Sequence, residues 1–164
     1  MSETLTHSHE AANLTHEQMA QDVIGRSQKL IARAEHGVGV RPTYGGGKRY
    51  VVGTGEKTER SAWSGEEHKS LTSYSVALEA GGSVEIRRDI ETHTPEKHSR
   101  GRSSGHAFEV LTLKGDGSAE YIDASEENGK YSRYEKRTDA NMNADQMEHF
   151  ANGVFYALGE ELET

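Results

Sequence analysis

The sequence predicts an α+β protein in which an N-terminal helix, an antiparallel β-meander of five or six strands and a C-terminal helix follow one another. Three observations predict this fold class. Apolar residues repeat with a helical period near both ends of the chain, they repeat with period two between the ends, and glycine-rich turns join the period-two segments. Because parallel strands need long crossover connections, strands joined by short turns favour antiparallel pairing.

The first helix is expected to begin at Thr15 and to end at Gly37, a residue type that commonly terminates helices. Thr15 and Gln18 form a capping-box pattern, in which each side chain can accept a hydrogen bond from the other residue's amide. A stripe of apolar and small residues follows at helical spacing: Met19, Ala20, Val23, Ile24, Ser27, Leu30, Ile31 and Ala34. We therefore expect residues 1–14 to be a disordered tail and residues 15–164 to be a single domain.

Three hairpins are expected after the first helix. In the first, a three-residue loop at 80–82 places Leu78 opposite Val84, whereas a two-residue loop would place Leu78 against a glutamate. The second is expected to turn at residues 115–117 and the third at Asn128-Gly129, a dipeptide that favours a type I′ turn. An earlier strand is expected in KRYVVGT and another candidate in ERSAWS, with irregular connections elsewhere between residues 41 and 65.

The second helix is expected to follow Asn143, which can form a capping box with Gln146. Tyr156 points away from its apolar stripe, and its final turn is expected to hold Glu160 and Glu161. Acidic groups at the negative end of a helix dipole are disfavoured by about 0.3–1 kcal/mol each. A basic partner could supply the missing countercharge with Tyr156 as an aromatic anchor, and the alternative is a frayed, highly soluble terminus.

One strand of the second hairpin carries apolar side chains on both faces. Phe108 and Val110 lie on one face, and Leu111 and Leu113 lie on the other, with Tyr121 as the cross-strand neighbour of Leu111. Two helices packed on a single face would leave Leu111, Leu113 and Tyr121 exposed as a surface for a partner. The alternative is that the two helices cover opposite faces of the sheet.

Composition excludes several classes of function. The net charge of −8 argues against non-specific nucleic-acid binding, because such a field repels phosphate backbones. The absence of cysteine excludes disulfides and thiolate chemistry and fits a reducing, cytoplasmic compartment. The first residues lack the pattern of a signal peptide, and no apolar run approaches the ~18–20 residues of a membrane span.

The stretch His93–His106, HTPEKHSRGRSSGH, is interpreted first as a strand connector and second as a site. Its GRSSG sequence matches the GxSxG motif of serine hydrolases, but that motif requires a strand before it and a helix after it. The side chains of His98, Arg100, Arg102 and His106 could instead bind an anion. The spacing of the histidines matches no zinc motif, and we expect neither a metal nor a cofactor.

These observations predict a small, acidic, non-catalytic binding protein that acts through protein–protein contact, as an inhibitor, an adaptor or a chaperone-like protein. The expected partner is a second copy meeting at the face of Leu111, Leu113 and Tyr121, or a basic protein meeting the acidic C-terminal half. The alternative is a sheet-and-helix cup that binds a small ligand or an anion, with residues 93–106 as its lid and enzymatic activity left open. Deleting residues 99–105 is expected to abolish only the activity of the cup.

Overall fold

The computed structural model contains one eight-stranded antiparallel sheet, preceded and followed in the chain by a helix. The described residues are 15–34, 40–43, 45–53, 57–60, 62, 65, 67–94, 103–138 and 143–159. The helices are α1 (His16–Ala34) and α2 (Ala144–Ala157). The strands are β1 (Val40–Pro42), β2 (Lys48–Gly53), β3 (Lys57–Arg60), β4 (Glu67–Leu78), β5 (Val84–Thr94), β6 (Ser103–Leu113), β7 (Ala119–Glu127) and β8 (Lys130–Thr138). The predicted order of helix, antiparallel meander and helix is confirmed, with eight strands instead of five or six.

The additional strands lie where irregular connection was expected. β1 has three residues and ends at Pro42, and β3 has four exposed residues. Neither strand is long enough to show the period-two pattern that identifies a half-buried strand in a sequence. The sheet order is β1-β2-β4-β5-β6-β7-β8, and β3 pairs with the part of β4 that extends beyond β2.

The predicted hairpin registers are confirmed. Leu78 lies opposite Val84, and the turn at residues 80–82 is closed by hydrogen bonds between the flanking residues. The second hairpin turns at residues 115–117. Asn128 and Gly129 form the third turn with φ values of 51° and 83°, which are the two positive values that a type I′ turn requires.

Both predicted capping boxes are present. The Gln18 amide donates to Thr15 Oγ1 at 3.1 Å, and the Thr15 amide donates to Gln18 Oε1 at 3.2 Å. At the start of α2, the Gln146 amide donates to Asn143 Oδ1 at 2.8 Å. These contacts satisfy amide groups that the first turn of a helix leaves without an intrahelical partner.

The C-terminal end of α2 differs from the prediction. The helix ends at Ala157, Leu158 is its cap, and Gly159 has a φ of 93°. A left-handed glycine at this position terminates a helix, because few other residue types adopt that conformation. Glu160 and Glu161 therefore follow the helix instead of forming its last turn, and they lie outside the described residues.

Both helices pack on the same face of the sheet, side by side and in the same direction. Arg26 of α1 donates to Asn152 of α2 at 2.7 Å. Arg33, about two turns further along α1, donates at 3.5 Å to the carbonyl of Gly159, which lies the same distance in sequence beyond Asn152. The core lies between this helix pair and the sheet, and its largest fully buried members are Phe155, Met19, Ile86, Leu111, Leu113 and Met147. The opposite face of the sheet, which neither helix covers, is called the open face below.

Candidate functional site

Leu111, Leu113 and Tyr121 belong to the core and do not form an exposed patch. Leu111 and Leu113 are fully buried, and Tyr121 is 8% exposed with its ring edge-on to Phe150 at 5.5 Å. Burial, and then the charge of Asp123, raises the pKa of the Tyr121 hydroxyl. The expected partner surface at these three residues is therefore wrong, because the helices cover the face that carries them.

The open face carries a chain of paired charges across three strands. Arg49 Nη2 lies 3.0 Å from Glu85 Oε1, and Arg87 Nε lies 2.8 Å from Asp89 Oδ2. His106 Nε2 lies 2.7 Å from Asp89 Oδ1, so Asp89 joins an arginine and a histidine. The long side chains of these residues lie along the sheet surface.

This charged layer covers the apolar side chains of the open face. The Arg87 guanidinium lies 4.8 Å from the centre of the Phe108 ring, and the His106 ring lies 5.2 Å from it. Val110 is only 7% exposed and Ala124 only 1%, although no helix packs on either residue. Arginine stems commonly cover apolar surface in this way while the charged group stays in water. The central part of the open face is therefore already covered by its own side chains.

The predicted anion-binding residues are only partly described. His106 lies within β6 with Asp89 as its partner, and not in a loop. His98, Arg100 and Arg102 lie outside the described residues. β5 continues to Thr94 and β6 begins at Ser103, so the connector is shorter than the predicted fourteen-residue stretch.

A cavity of about 570 Å³ lies at the end of the sheet from which this connector extends. Its lining includes the side chains of Lys69, Glu91, His93, His106 and Glu126. The cavity therefore combines two carboxylates with a lysine and two histidines, and no single sign of charge dominates its lining. Among the described residues, no group of three or more histidine, aspartate or glutamate side chains is placed to hold a metal ion.

The two edges of the sheet differ in length and chemistry. One edge is divided between β1, which has three residues and contains Pro42, and β3, which has four residues. The other edge is β8, which has nine residues, all of them exposed. Unpaired backbone groups on a sheet edge can recruit another strand, and short strands and proline prevent this. The β1 and β3 edge is protected in this way, whereas β8 presents a longer edge.

A β-bulge determines which side chains β8 presents on the open face. Tyr131 pairs with Glu126 and Arg133 pairs with Ser125, so Ser132 is an extra residue in β8. In a regular strand, residues three apart such as Tyr131 and Tyr134 lie on opposite faces. The bulge places both on the same face, and their rings meet edge-to-face with centres 5.4 Å apart.

Tyr131 and Tyr134 are candidate site residues that sequence reasoning missed. They are 58% and 52% exposed, and Tyr156 on α2 is 62% exposed, which confirms its predicted outward direction. The spacing of Tyr131 and Tyr134 gives no signal of a shared face, because nothing in the sequence marks Ser132 as a bulge. Exposure and mutual contact make the two tyrosines a distinct feature of the β8 edge.

Three of the four basic residues of β8 are paired with acidic residues. Arg133 Nη2 lies 3.0 Å from Asp123 Oδ2, and Lys136 Nζ lies 3.2 Å from Glu120 Oε2, both on the neighbouring strand β7. Arg137 Nη2 lies 3.2 Å from Glu135 Oε2 within β8 itself. The acidic partners of these three residues therefore interrupt the basic charge of the edge.

Comparison of this chain with protein-family models, with curated proteins and with solved structures finds no match. In the described part of the chain, neither helix has the length and apolarity that crossing a membrane requires.

Proposed function

We propose that this protein is a non-catalytic binding protein that acts by contact with another protein chain, through the exposed edge of β8 and the side chains of Tyr131 and Tyr134. The contrast between the two sheet edges carries this proposal. One edge is shortened and contains a proline, and the other offers nine exposed residues. A strand from a partner can pair with such an edge through main-chain hydrogen bonds, and adjacent side chains then provide specificity.

The two tyrosines support the choice of this surface over the rest of the open face. Tyrosine is enriched among the residues that dominate the binding energy of interfaces, because it combines a large apolar ring with a hydroxyl group. In the central part of the open face, the apolar groups are covered by paired charges such as Arg87 and Asp89. Binding there would require these ion pairs to be displaced, whereas Tyr131 and Tyr134 are accessible already.

Site-specific photo-crosslinking in the cells that make the protein tests this proposal. A benzophenone amino acid is introduced in place of Tyr134, and in matched variants in place of Tyr156 on α2 or of the exposed Leu71 on β4. We expect discrete protein adducts from position 134 and few from the other two. Adducts that form only at position 156 would instead support the surface on α2 next to Glu160 and Glu161, and would contradict the proposal for β8.

The cytoplasm is the proposed location, because a chain without cysteine has no need of an oxidising compartment. The partner surface on β8 is compatible with an inhibitor, an adaptor or a chaperone-like protein. These roles differ in the activity that the partner has when it is not bound to this protein. Identification of the adduct at position 134 by mass spectrometry distinguishes them.

The cavity beside the connector supports a second candidate, the ligand-binding cup. Lys69, His93 and His106 provide cationic or hydrogen-bonding groups for an anion, with Glu91 and Glu126 opposing it. Titration with inorganic phosphate, followed by NMR shifts of these residues, tests this candidate. If the cup is correct, phosphate shifts the signals of the cavity residues, and both His106→Ala and deletion of residues 99–102, which precede β6, abolish the shifts. If β8 is the functional surface, neither change alters crosslinking from position 134.

A further inference from the structure

We infer that the strand that pairs with β8 is the β8 of a second copy of this chain, antiparallel about a two-fold axis through Tyr134. This inference rests on the proposed function and specifies its partner. Joining two eight-stranded sheets in this way produces one continuous sheet of sixteen strands. The strand order ends at β8, and all nine residues of that strand are exposed, so the described residues leave its outer edge open to a second strand.

The charge pattern of β8 selects one register. In a two-fold antiparallel pair, the central residue faces its own copy, and its two neighbours face each other. A centre at any of the four basic residues of β8 opposes identical cations, and a centre at Glu135 opposes identical carboxylates. A centre at Tyr131 or Ser132 falls at the bulge, where regular pairing is interrupted. Like charges directly opposite each other destabilise a strand pair. A centre at Tyr134 opposes two tyrosines instead and places Arg133 of each chain against Glu135 of the other.

The side chains around Tyr134 fit this register. Arg133 and Glu135 lie on one face of β8, where Arg133 also contacts Asp123, and Tyr134 lies on the other face with Tyr131. Pairing about this two-fold axis therefore forms two intermolecular ion pairs on the first face, each between Arg133 of one chain and Glu135 of the other. On the second face it brings Tyr134 and its copy together, each already in contact with its own Tyr131.

The bulge at Ser132 limits the length of this pairing. In the register centred on Tyr134, Ser132 faces Lys136 of the copy, so regular pairing extends over residues 132–136 and is disturbed beyond them. A contact of this length is small, and small interfaces belong to weak, transient complexes. We therefore expect a concentration-dependent dimer and not a permanent one.

A second copy fits the edge better than an acidic peptide does. An acidic peptide would need unbalanced positive charge, but Lys136 and Arg133 already contact Glu120 and Asp123 of β7. Arg133 and Glu135 lie on either side of Tyr134, so this part of the strand is complementary to its own copy about the two-fold axis. The charges around Tyr134 therefore favour self-pairing.

Charge exchange between Arg133 and Glu135 tests the inference. Arg133→Glu places glutamate against Glu135 of the copy, and Glu135→Arg places arginine against Arg133 of the copy. We expect each variant to dimerise about tenfold more weakly than the wild-type chain in sedimentation equilibrium. Mixed in equal amounts, the two variants restore both ion pairs, because each then faces the opposite charge. We expect the mixture to form a heterodimer with near wild-type affinity, which native mass spectrometry distinguishes by mass.

Cysteine crosslinking tests the register independently of the charged residues. The chain contains no cysteine, so an introduced pair is unambiguous. Directly opposite residues have Cα atoms about 4.5–5.5 Å apart, which is within the range that a disulfide spans. We expect Tyr134→Cys to form an interchain disulfide on oxidation. Lys136→Cys, on the same face, is expected not to do so, because it faces position 132 of the copy.

The outcomes separate this inference from the proposed function. A wild-type chain that stays monomeric up to millimolar concentration overturns the inference, as does a mixture of the two folded charge variants that forms no heterodimer. A crosslink at position 136 but not at 134 overturns the register. Adducts from position 134 that contain only foreign proteins overturn the inference and support the proposed function, whereas no adduct from that position counts against both.

Discussion

At Gly47, the backbone of the neighbouring strand passes so close that no side chain fits. A Cβ atom built there would lie 2.2 Å from the Leu78 carbonyl oxygen and 2.7 Å from Glu79 Cα, both of them backbone atoms. The sequence predicts a turn from the run of glycines at 45–47, and Gly46 does have a turn conformation with a φ of 89°. The close approach at Gly47 depends on how β2 pairs with β4, so composition alone does not reveal it.

Gly47→Ala is therefore expected to destabilise the fold by about 1–3 kcal/mol, because backbone atoms must move to admit the methyl group. Gly53→Ala is the matched control at the other end of β2, where no atom lies within 4 Å of the added Cβ. Urea unfolding of the two variants measures the difference. Equal free energies of unfolding for both variants would contradict the close approach of β2 and β4 at this point.

Glu148 makes the stability of the helix pair dependent on pH. Burial, and then the charge of Asp22 on α1, raises the pKa of the Glu148 carboxyl. The folded state thus binds a proton more tightly than the unfolded state does, so stability decreases as pH rises through the ordinary range of glutamate and above it. At neutral pH the charged carboxylate is a net cost to the folded state.

Glu148→Gln removes this cost while keeping the side-chain shape. We expect the variant to have a higher Tm than the wild-type chain at neutral pH, by a free energy of up to about 0.5 kcal/mol. The difference in Tm between the two chains should shrink below about pH 4, because Glu148 of the wild-type chain is then protonated and neutral, as glutamine is. Differential scanning calorimetry at both pH values measures it. A lower Tm for the variant at neutral pH would show that the contact with Arg26 outweighs burial.

At the scale of single elements, the hairpin of β7 and β8 shows what local sequence can predict and what it cannot. Asn128-Gly129 specifies the turn, because its two positive φ values are costly for other residues. The Asn128 amide donates to the Ser104 carbonyl, and the Ser104 amide donates to Asn128 Oδ1, which ties the turn to β6. The bulge at Ser132 depends on the pairing with Ser125 and Glu126, and so it is not visible in β8 alone.

Gly129→Ala is expected to loosen β8 without unfolding the rest of the sheet. An alanine at a φ of 83° costs about 1–2 kcal/mol, and among the described strands β8 pairs with β7 alone. We therefore expect at least about fivefold faster amide exchange in residues 130–138, with little change in β4 and β5. Gly115→Ala is the control, because Gly115 lies in another hairpin turn without a positive φ. Uniformly faster exchange across the sheet would contradict the local effect.

At the scale of the whole molecule, sequence reasoning predicts the elements but not the face on which they assemble. The N-terminal ends of the helices and the hairpin registers are fixed by residues close together in the chain, such as Thr15 with Gln18, and these predictions are confirmed. β6, however, offers apolar side chains on both faces. Contacts with strands distant in sequence determine which of these faces the helices cover. Arg87 of β5 covers Phe108 of β6, and this contact also joins two different strands, so the sequence of β6 alone does not predict it.

This assembly implies that stability depends on one face of the sheet much more than on the other. Phe155 is fully buried between the helix pair and the sheet, so Phe155→Ala is expected to cost about 3–5 kcal/mol. Phe108 lies half-buried on the open face, where the Arg87 guanidinium and not a packed helix covers its ring, so Phe108→Ala is expected to cost about 1 kcal/mol. Urea unfolding followed by circular dichroism measures both values. Because both helices share a single core, Phe155→Ala should lower the stability of helices and sheet together in one transition. Equal costs for the two substitutions would contradict this difference between the two faces of the sheet.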